Sequence, residues 1–184
     1  MNGVSLGNSR DQGNISIRPV GEVRSEHKEA SLGLEEGKLK VRPLEGFRGR
    51  PGGLVSEVVI YDEYSDCLNG LEEFSHLIVL YWSHLVGDEG RKATMVHPAG
   101  QEDMPLVGVF ATRSPARPNP VCVTTVELLG LDKNVLTVKG LDAVDGSPVI
   151  DIKPHQPRFD APGEVRLAGW MEVLMKRMPD AREE

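Results

Sequence analysis

Two segments of this 184-residue chain combine polar side chains with residues that restrict the backbone. The first, residues 111–120, reads Ala-Thr-Arg-Ser-Pro-Ala-Arg-Pro-Asn-Pro, with three prolines in six positions. Because proline fixes φ and lacks an N–H donor, this segment is predicted to be a rigid loop outside any central strand. Such a loop holds Arg113 and Arg117 in fixed directions, which suits recognition of a carboxylate or phosphate. A surface loop whose arginines pair with neighbouring carboxylates is the alternative.

The second segment, residues 142–154, contains Asp145-Gly-Ser-Pro148 and then Asp151-Ile-Lys-Pro154. Asp can bond its own backbone and Gly accepts positive φ, so the first four residues predict a turn. Asp151 and Lys153 are two residues apart, which places them on one face of a short strand. A turn with exposed amides beside a carboxylate can bind a small polar ligand, whereas a plain hairpin turn is the alternative.

The remaining reactive residue types lack a pattern of their own. None of the five histidines, at positions 27, 76, 84, 97 and 155, stands in a zinc-binding spacing, so no metal site is predicted. Two cysteines are too few for a disulfide framework. We expect Cys67 and Cys122 to be buried small apolar residues.

The elements that must position these segments are mostly strands. They are predicted at Ile15–Val23, Leu39–Val41, Leu54–Ile60, Leu77–Trp82, Leu106–Thr112, Val121–Leu129, Val135–Val138 and Val149–Ile152. They do not alternate with helices as a doubly wound sheet requires, so the sequence favours a mainly β fold, a small antiparallel barrel-like domain with few helices. The continuous apolar run at residues 77–82 indicates a strand buried on both faces, or a buried helix segment.

A polar, Gly/Asn/Ser-rich stretch at residues 1–14 predicts a flexible tail before a barrel domain at residues 15–160. A C-terminal helical extension is predicted over residues 161–184, because apolar residues recur there at helical spacing. These residues are Leu167, Met171, Leu174 and Met178. Residues 87–105, polar with two prolines, predict a long surface loop.

Composition places the chain among globular proteins, with 39% hydrophobic and 27% charged residues. The longest apolar run falls far short of the ~20 residues of a spanning helix, and no leader pattern is present, so we expect a cytoplasmic protein without a membrane partner. The net charge is −7, yet the charges are segregated. Residues 51–90 contain eight acidic residues and no Lys or Arg, whereas basic residues form islands that suit a phosphate-bearing partner.

Four motifs together resemble the TsaA/TrmO family of S-adenosylmethionine-dependent tRNA methyltransferases. They are Gly70–Leu77, Gly108–Ser114, Arg117–Pro120 and the Asp145–Pro148 turn with Asp151–Pro154. The resemblance runs from about residue 15 to residue 157. It implies a small β-barrel-like sheet, a homodimer, S-adenosylmethionine as cofactor and tRNA as partner. It also implies methylation at N6 of the threonylcarbamoyl-modified adenosine beside the anticodon.

The resemblance implies cofactor contacts at His84, Leu85, Arg113, Val123, Asp145, Gly146, Ser147 and Pro148. We expect substrate contacts from Arg117, Asn119, Lys153 and His155. Lys153 is expected to contact a phosphate, and Arg117 to reach the RNA or hold its own loop. The family has tyrosine where this chain has His155 and glycine where it has Cys122. The family's early Pro-x-Gln-x-Gly loop has no match between Lys28 and Lys38.

Methylation at N6 also needs a proton acceptor, for which Asp145, Asp151 and His84 are the candidates. Two other functions fit the same motifs. One is a sensor that binds S-adenosylmethionine or a nucleotide without methyl transfer. The other is a methyltransferase of this fold that acts on a small molecule.

Overall fold

A computed structural model describes residues 15–28, 54–161 and 163–177 with their side chains, and residues 32–35 and 38–41 by their backbone. Its strands are β1 (Gly21–Arg24), β2 (Leu32–Glu35), β3 (Lys38–Val41), β4 (Val55–Ile60), β5 (His76–Trp82), β6 (Met95–Val96), β7 (Val107–Gly108), β8 (Val121–Asp132), β9 (Val135–Lys139) and β10 (Pro148–Pro154). Six of them close an antiparallel barrel in the order β1, β10, β5, β8, β9, β4. The pairs β2–β3 and β6–β7 form separate two-stranded sheets. The mainly β, barrel-like fold class is therefore confirmed.

Helical elements are short and lie outside the barrel. They are α1 (Asp88–Arg91), α2 (Pro157–Asp160) and α3 (Gly169–Arg177), with 3₁₀ turns at Asp62–Leu68, Leu71–Glu73, Pro98–Gly100 and Val109–Ala111. Among the helices of the described ranges, none has the length and apolar character that crossing a membrane requires.

The barrel core consists of the inward-facing residues of each strand. In β5, Leu77, Val79 and Tyr81 are buried, while the alternate residues are partly exposed. This two-residue period identifies a strand with one buried face. The prediction that residues 77–82 form a strand is confirmed, but burial on both faces is not observed.

The antiparallel register determines which strand ends lie at the same end of the barrel. Trp82 pairs with Val121, and Glu22 pairs with Pro148, so β1 and β5 end where β8 and β10 begin. We call this end of the barrel the upper rim. The lower rim lies at the opposite end, where β10 finishes at Pro154 beside the start of β5. The proline loop, residues 111–120, leads directly into the upper rim.

Two strand predictions need correction. Leu106–Thr112 was expected to be a strand, but only Val107–Gly108 is one, and a 3₁₀ turn follows. The chain folds back there because the Thr112 N–H donates to the Val109 carbonyl at 3.1 Å. The first strand begins at Gly21, and Ile15 is 87% exposed.

The predicted loop at residues 87–105 contains α1, β6 and a 3₁₀ turn. The C-terminal helix α3 attaches to this segment, since Arg177 Nη1 lies 2.6 Å from Gln101 Oε1 and 2.8 Å from Asp103 Oδ2. Leu174 is the buried residue of the helix. Met178 and the predicted tail at residues 1–14 lie outside the described residues.

Candidate functional site

The upper rim brings together residues that are far apart in the sequence. His84 and Leu85 follow β5, Val123 lies at the start of β8, and the turn at residues 145–148 leads into β10. Arg113 joins them from the proline loop through a 2.7 Å bond from its Nη2 to the Val123 carbonyl. All eight residues implied as cofactor contacts therefore belong to segments that meet at this rim.

His84 lies against the turn at residues 145–148. Its Nδ1 is 3.4 Å from Ser147 Oγ, and Ser147 is completely buried. A Cβ added to Gly146 would lie 3.9 Å from His84 Nε2, so the glycine leaves room beside the imidazole. Gly146 has a φ of +73°, a conformation that glycine adopts without the steric cost of a side chain.

The same turn is fixed to the end of β1. The Ser25 N–H donates to Asp145 Oδ1 at 3.0 Å, and the Asp145 N–H donates to the His27 carbonyl at 2.6 Å. The Gly146 N–H donates to the Val23 carbonyl at 2.8 Å. The turn predicted from Asp-Gly-Ser-Pro is present, and these bonds hold its backbone against the barrel.

The proline loop is stabilised from within by Arg117. Its Nε donates to the Ser114 carbonyl at 2.8 Å, and its Nη2 donates to the Thr112 carbonyl at 2.6 Å and the Val109 carbonyl at 3.4 Å. These bonds favour loop-holding among the two roles expected for Arg117. Arg113, by contrast, is exposed, and its Nη2 donates out of the loop to the Val123 carbonyl.

Asp142 lies beneath the rim and was not selected from the sequence. Tyr81 donates its hydroxyl to Asp142 Oδ1 at 2.8 Å, and Thr124 Oγ1 donates to the same oxygen. Tyr81 is three residues before His84, Thr124 follows Val123, and Asp142 precedes Asp145 by three. One carboxylate thus joins the three segments that carry the rim residues. The available signal was that Tyr81 and Thr124 are polar residues at inward-facing strand positions, which need hydrogen-bond partners.

Burial and the Asp142 charge also affect two neighbouring groups. Burial raises the pKa of Cys122 to about 11, with a smaller contribution from Asp142. The pKa of Tyr81 is raised for the same two reasons, so its hydroxyl remains a donor. Cys122 is therefore a thiol near neutral pH and a poor nucleophile. The expectation of burial is wrong for Cys67, which is exposed, and Cys122 is only partly buried.

Lys153 and His155 lie away from this cluster, toward the lower rim. Lys153 pairs in register with Ile78, and its Nζ lies 2.6 Å from Asp151 Oδ2, which confirms that both side chains share one strand face. The backbone N–H of His155 donates to the His76 carbonyl at 2.9 Å. The structure therefore does not bring these two expected substrate residues to the upper rim.

Asn119 lies in the last part of the proline loop, directly before the start of β8. Asn119 is exposed, and its carbonyl accepts the Val121 N–H at 2.7 Å. Within the described residues, no group of three or more His, Cys, Asp or Glu side chains could hold a metal ion. The groups able to hold an organic ligand at the upper rim are the Arg113 guanidinium, the Asp145 carboxylate and the glycine-containing turn.

Comparisons with known proteins agree on one family. Residues 50–161 match the family model of the tRNA-methyltransferase O N-terminal domain. A probable S-adenosyl-L-methionine-binding protein of Methanothermobacter thermautotrophicus is 46% identical over 149 residues, which cover 81% of this chain and 96% of that protein. The tRNA (adenine(37)-N6)-methyltransferase of Escherichia coli is 37% identical over 147 residues, which cover 78% of this chain and 58% of that enzyme.

A solved structure shows the same fold. The crystal structure of TrmO from Pseudomonas aeruginosa matches with a TM-score of 0.60 and 26% sequence identity. The match covers 85% of this chain and 63% of that one. This chain thus spans about six-tenths of the length of that protein and of the Escherichia coli enzyme.

Proposed function

This chain belongs to the TrmO family of methyltransferases, and on that premise we propose that it uses S-adenosylmethionine to methylate tRNA. The proposed target is N6 of the threonylcarbamoyl-modified adenosine next to the anticodon. The observation that carries the proposal is the convergence at the upper rim of the segments bearing all eight expected cofactor contacts. The Escherichia coli relative, named as an adenine-37 N6-methyltransferase, supports the choice of target atom.

The upper rim carries groups that suit the charges of S-adenosylmethionine. The ligand carries a carboxylate, and the exposed Arg113 guanidinium, directed by its bond to Val123, is a suitable partner. Gly146 leaves open the space that a side chain would take beside His84. Asp145 contributes a half-buried carboxylate at the same turn. When bound, S-adenosylmethionine would supply an electrophilic methyl group on a sulfonium.

The chain's contribution to the reaction would be positioning and proton removal. The lone pair of adenine N6 is delocalised into the ring, so holding N6 in line with the methyl group supplies most of the acceleration. Of the three candidate proton acceptors, His84 and Asp145 lie at the upper rim. Asp151 is paired with Lys153 on the outside of the barrel. We therefore propose His84 and Asp145 as the acceptors to test first.

Lys153 and His155 would serve tRNA binding at a distance from the reacting base. Lys153 is five residues along β10 from Pro148, or about 17 Å at ~3.3 Å per residue. A tRNA is large enough to contact both places, so Lys153 remains our proposed phosphate contact. Asn119, in the proline loop, would contact RNA nearer to the cofactor, while Arg117 would act by holding that loop.

Because tRNA and S-adenosylmethionine are cytoplasmic molecules, we propose that the protein acts in the cytoplasm.

The deciding experiment combines calorimetry with mass spectrometry of tRNA nucleosides. We expect S-adenosylmethionine to bind with a micromolar Kd, about −8 kcal/mol. Incubation of undermethylated tRNA with isotope-labelled cofactor should then place the label on the modified adenosine. Absence of binding at millimolar cofactor would refute the proposal at its first step.

The sensor function is the second candidate, because the Methanothermobacter relative is named only as a binding protein. It would be supported by cofactor binding without label in tRNA. Label in a small molecule but not in tRNA would instead indicate the third alternative.

We also propose that the active form is a homodimer, in which a two-fold axis doubles the area available to tRNA. The outer face of β5 and β8 supports this. Leu80 pairs with Val123 and Trp82 with Val121, so these apolar side chains share the outward face beside the rim. Val123 is 43% exposed, while Arg91 stacks over the Trp82 ring.

Light scattering should report a dimer, and Val123→Glu should shift it toward monomer. A wild-type monomer with full activity would exclude the dimer.

A further inference from the structure

Phe110 is an exposed aromatic residue that none of the expected contacts includes. Phe110 lies in the 3₁₀ turn Val109–Ala111 and is 82% exposed. Phenylalanine rings are usually found in cores, so this degree of exposure is informative. The neighbouring Val109 is 3% exposed, which means that the turn is anchored on one side and presents its ring on the other.

The turn that carries Phe110 is held by several hydrogen bonds. The Val109 carbonyl accepts from the Thr112 N–H at 3.1 Å, from Thr112 Oγ1 at 2.9 Å and from Arg117 Nη2 at 3.4 Å. The Val109 N–H donates to the Thr94 carbonyl at 2.9 Å. The backbone beneath the ring is therefore fixed, so little conformational entropy would be lost when a ligand contacts the ring.

Phe110 is also close to the cofactor end of the barrel. It precedes Arg113 by three residues, so their Cα atoms are at most about 11 Å apart. Arg113 is in turn bonded to Val123 at the upper rim. An exposed aromatic ring on a fixed backbone turn, beside an exposed arginine, is the combination that proteins use to hold unpaired bases and their phosphates.

We propose that Phe110 is a stacking platform for one base of the tRNA anticodon loop, adjacent to the adenosine that is methylated. The inference rests on the proposed function and adds to it a contact with the substrate. Bases in an anticodon loop are unpaired, so one can leave its neighbour and stack on the ring face without breaking a base pair. Stacking is tolerant of base identity, so the platform would add affinity and orientation rather than sequence selection.

The test measures the affinity of an anticodon stem-loop RNA for the wild-type protein and three variants. Each protein is first saturated with the demethylated product of the cofactor. Phe110→Leu keeps apolar bulk but removes the π face, whereas Phe110→Tyr keeps the face. Phe159→Leu is the matched control, because Phe159 is 77% exposed but lies in α2, beyond the lower rim. We expect Phe110→Leu to weaken RNA binding about 10- to 100-fold, as removal of a stacked base contact does. Phe110→Tyr and Phe159→Leu should stay within about threefold of wild type, the scatter expected of distant surface changes.

Cofactor affinity, melting temperature and oligomeric state are measured on the same proteins and should be unchanged in all variants. Wild-type RNA affinity in Phe110→Leu, or equal losses in the Leu and Tyr variants, would overturn the platform while leaving the proposed function standing. A shift of Phe110→Leu from dimer to monomer would also overturn it, since the ring would then cover a second copy of the chain. Failure of the wild-type protein to bind the stem-loop would refute both the platform and the tRNA substrate.

Discussion

Arg113→Ala is expected to weaken S-adenosylmethionine binding about ten- to a hundred-fold. The substitution would remove the charge-assisted contact that we propose between Arg113 and the cofactor carboxylate, worth about 1.5–3 kcal/mol. It also removes the bond to the Val123 carbonyl, which directs the guanidinium toward the rim. Because the side chain is exposed, the fold should remain intact and the melting temperature nearly unchanged. Calorimetric titration of the cofactor measures the effect directly.

Lys153→Ala is the matched comparison, since it also removes one exposed cation. Lys153 pairs with Asp151 and lies toward the lower rim, so cofactor affinity should be unchanged. If Lys153 contacts a phosphate, the tRNA KM should rise and the salt dependence of tRNA binding should decrease by about one phosphate contact. Normal cofactor binding by Arg113→Ala together with a loss in Lys153→Ala would show that the ligand lies elsewhere on the barrel.

Asp142→Ala should destabilise the protein by about 3 kcal/mol, because the carboxylate accepts from two hydroxyl groups and each such bond contributes ~1.5 kcal/mol or more. The loss leaves the Tyr81 and Thr124 hydroxyls without their acceptor. For a chain of this size the melting temperature should fall by about 6–12 °C. Tyr81→Phe and Thr124→Val should each cause a smaller decrease. Thermal and urea unfolding of the single and paired variants would give the coupling between the groups.

A second readout distinguishes Asp142 from a residue that only stabilises the barrel. Because it joins the segments of His84, Val123 and Asp145, Asp142→Ala should also weaken cofactor binding at a temperature where the variant is fully folded. Asn134→Ala is the control, since Asn134 Nδ2 donates to the Ile60 carbonyl at 2.6 Å near the lower rim. It should lower stability without changing cofactor affinity. Equal cofactor affinity in Asp142→Ala and wild type would refute the positioning role.

The sequence allowed prediction of those features that depend on neighbouring residues. The Asp145–Pro148 turn follows from Asp-Gly chemistry, and β5 follows from six consecutive apolar residues. The 3₁₀ turn at Val109–Ala111 was missed because its apolar residues are typical of a strand. What ends the strand is the turn in which the Val109 carbonyl accepts from the Thr112 N–H and from Arg117 Nη2, and the apolar pattern does not reveal these bonds.

In the candidate site, too, the features missed from the sequence depend on contacts between distant residues. Asp142 was missed because its partners, Tyr81 and Thr124, are 61 and 18 residues away along the chain. Only the closed barrel brings their hydroxyls to one oxygen. The separation of Lys153 from the Asp145–Pro148 turn could have been anticipated, because a strand of that length spans about 17 Å. His84 was associated with the turn only through the family resemblance, and its 3.4 Å approach to Ser147 gives that association a geometry.

The position of β1 in the barrel has a consequence for how the protein matures. Gly21, near the start of the described chain, pairs with Val149 in the last strand, so the barrel cannot close until nearly all of it has left the ribosome. Pairings of such long sequence separation slow folding, because the loop must close before its contacts form. The Gly146 and Ser147 backbone bonds to Val23 arise in that same final step. The upper rim would therefore be completed last, and a ligand that binds there would favour the closed barrel over its open precursors.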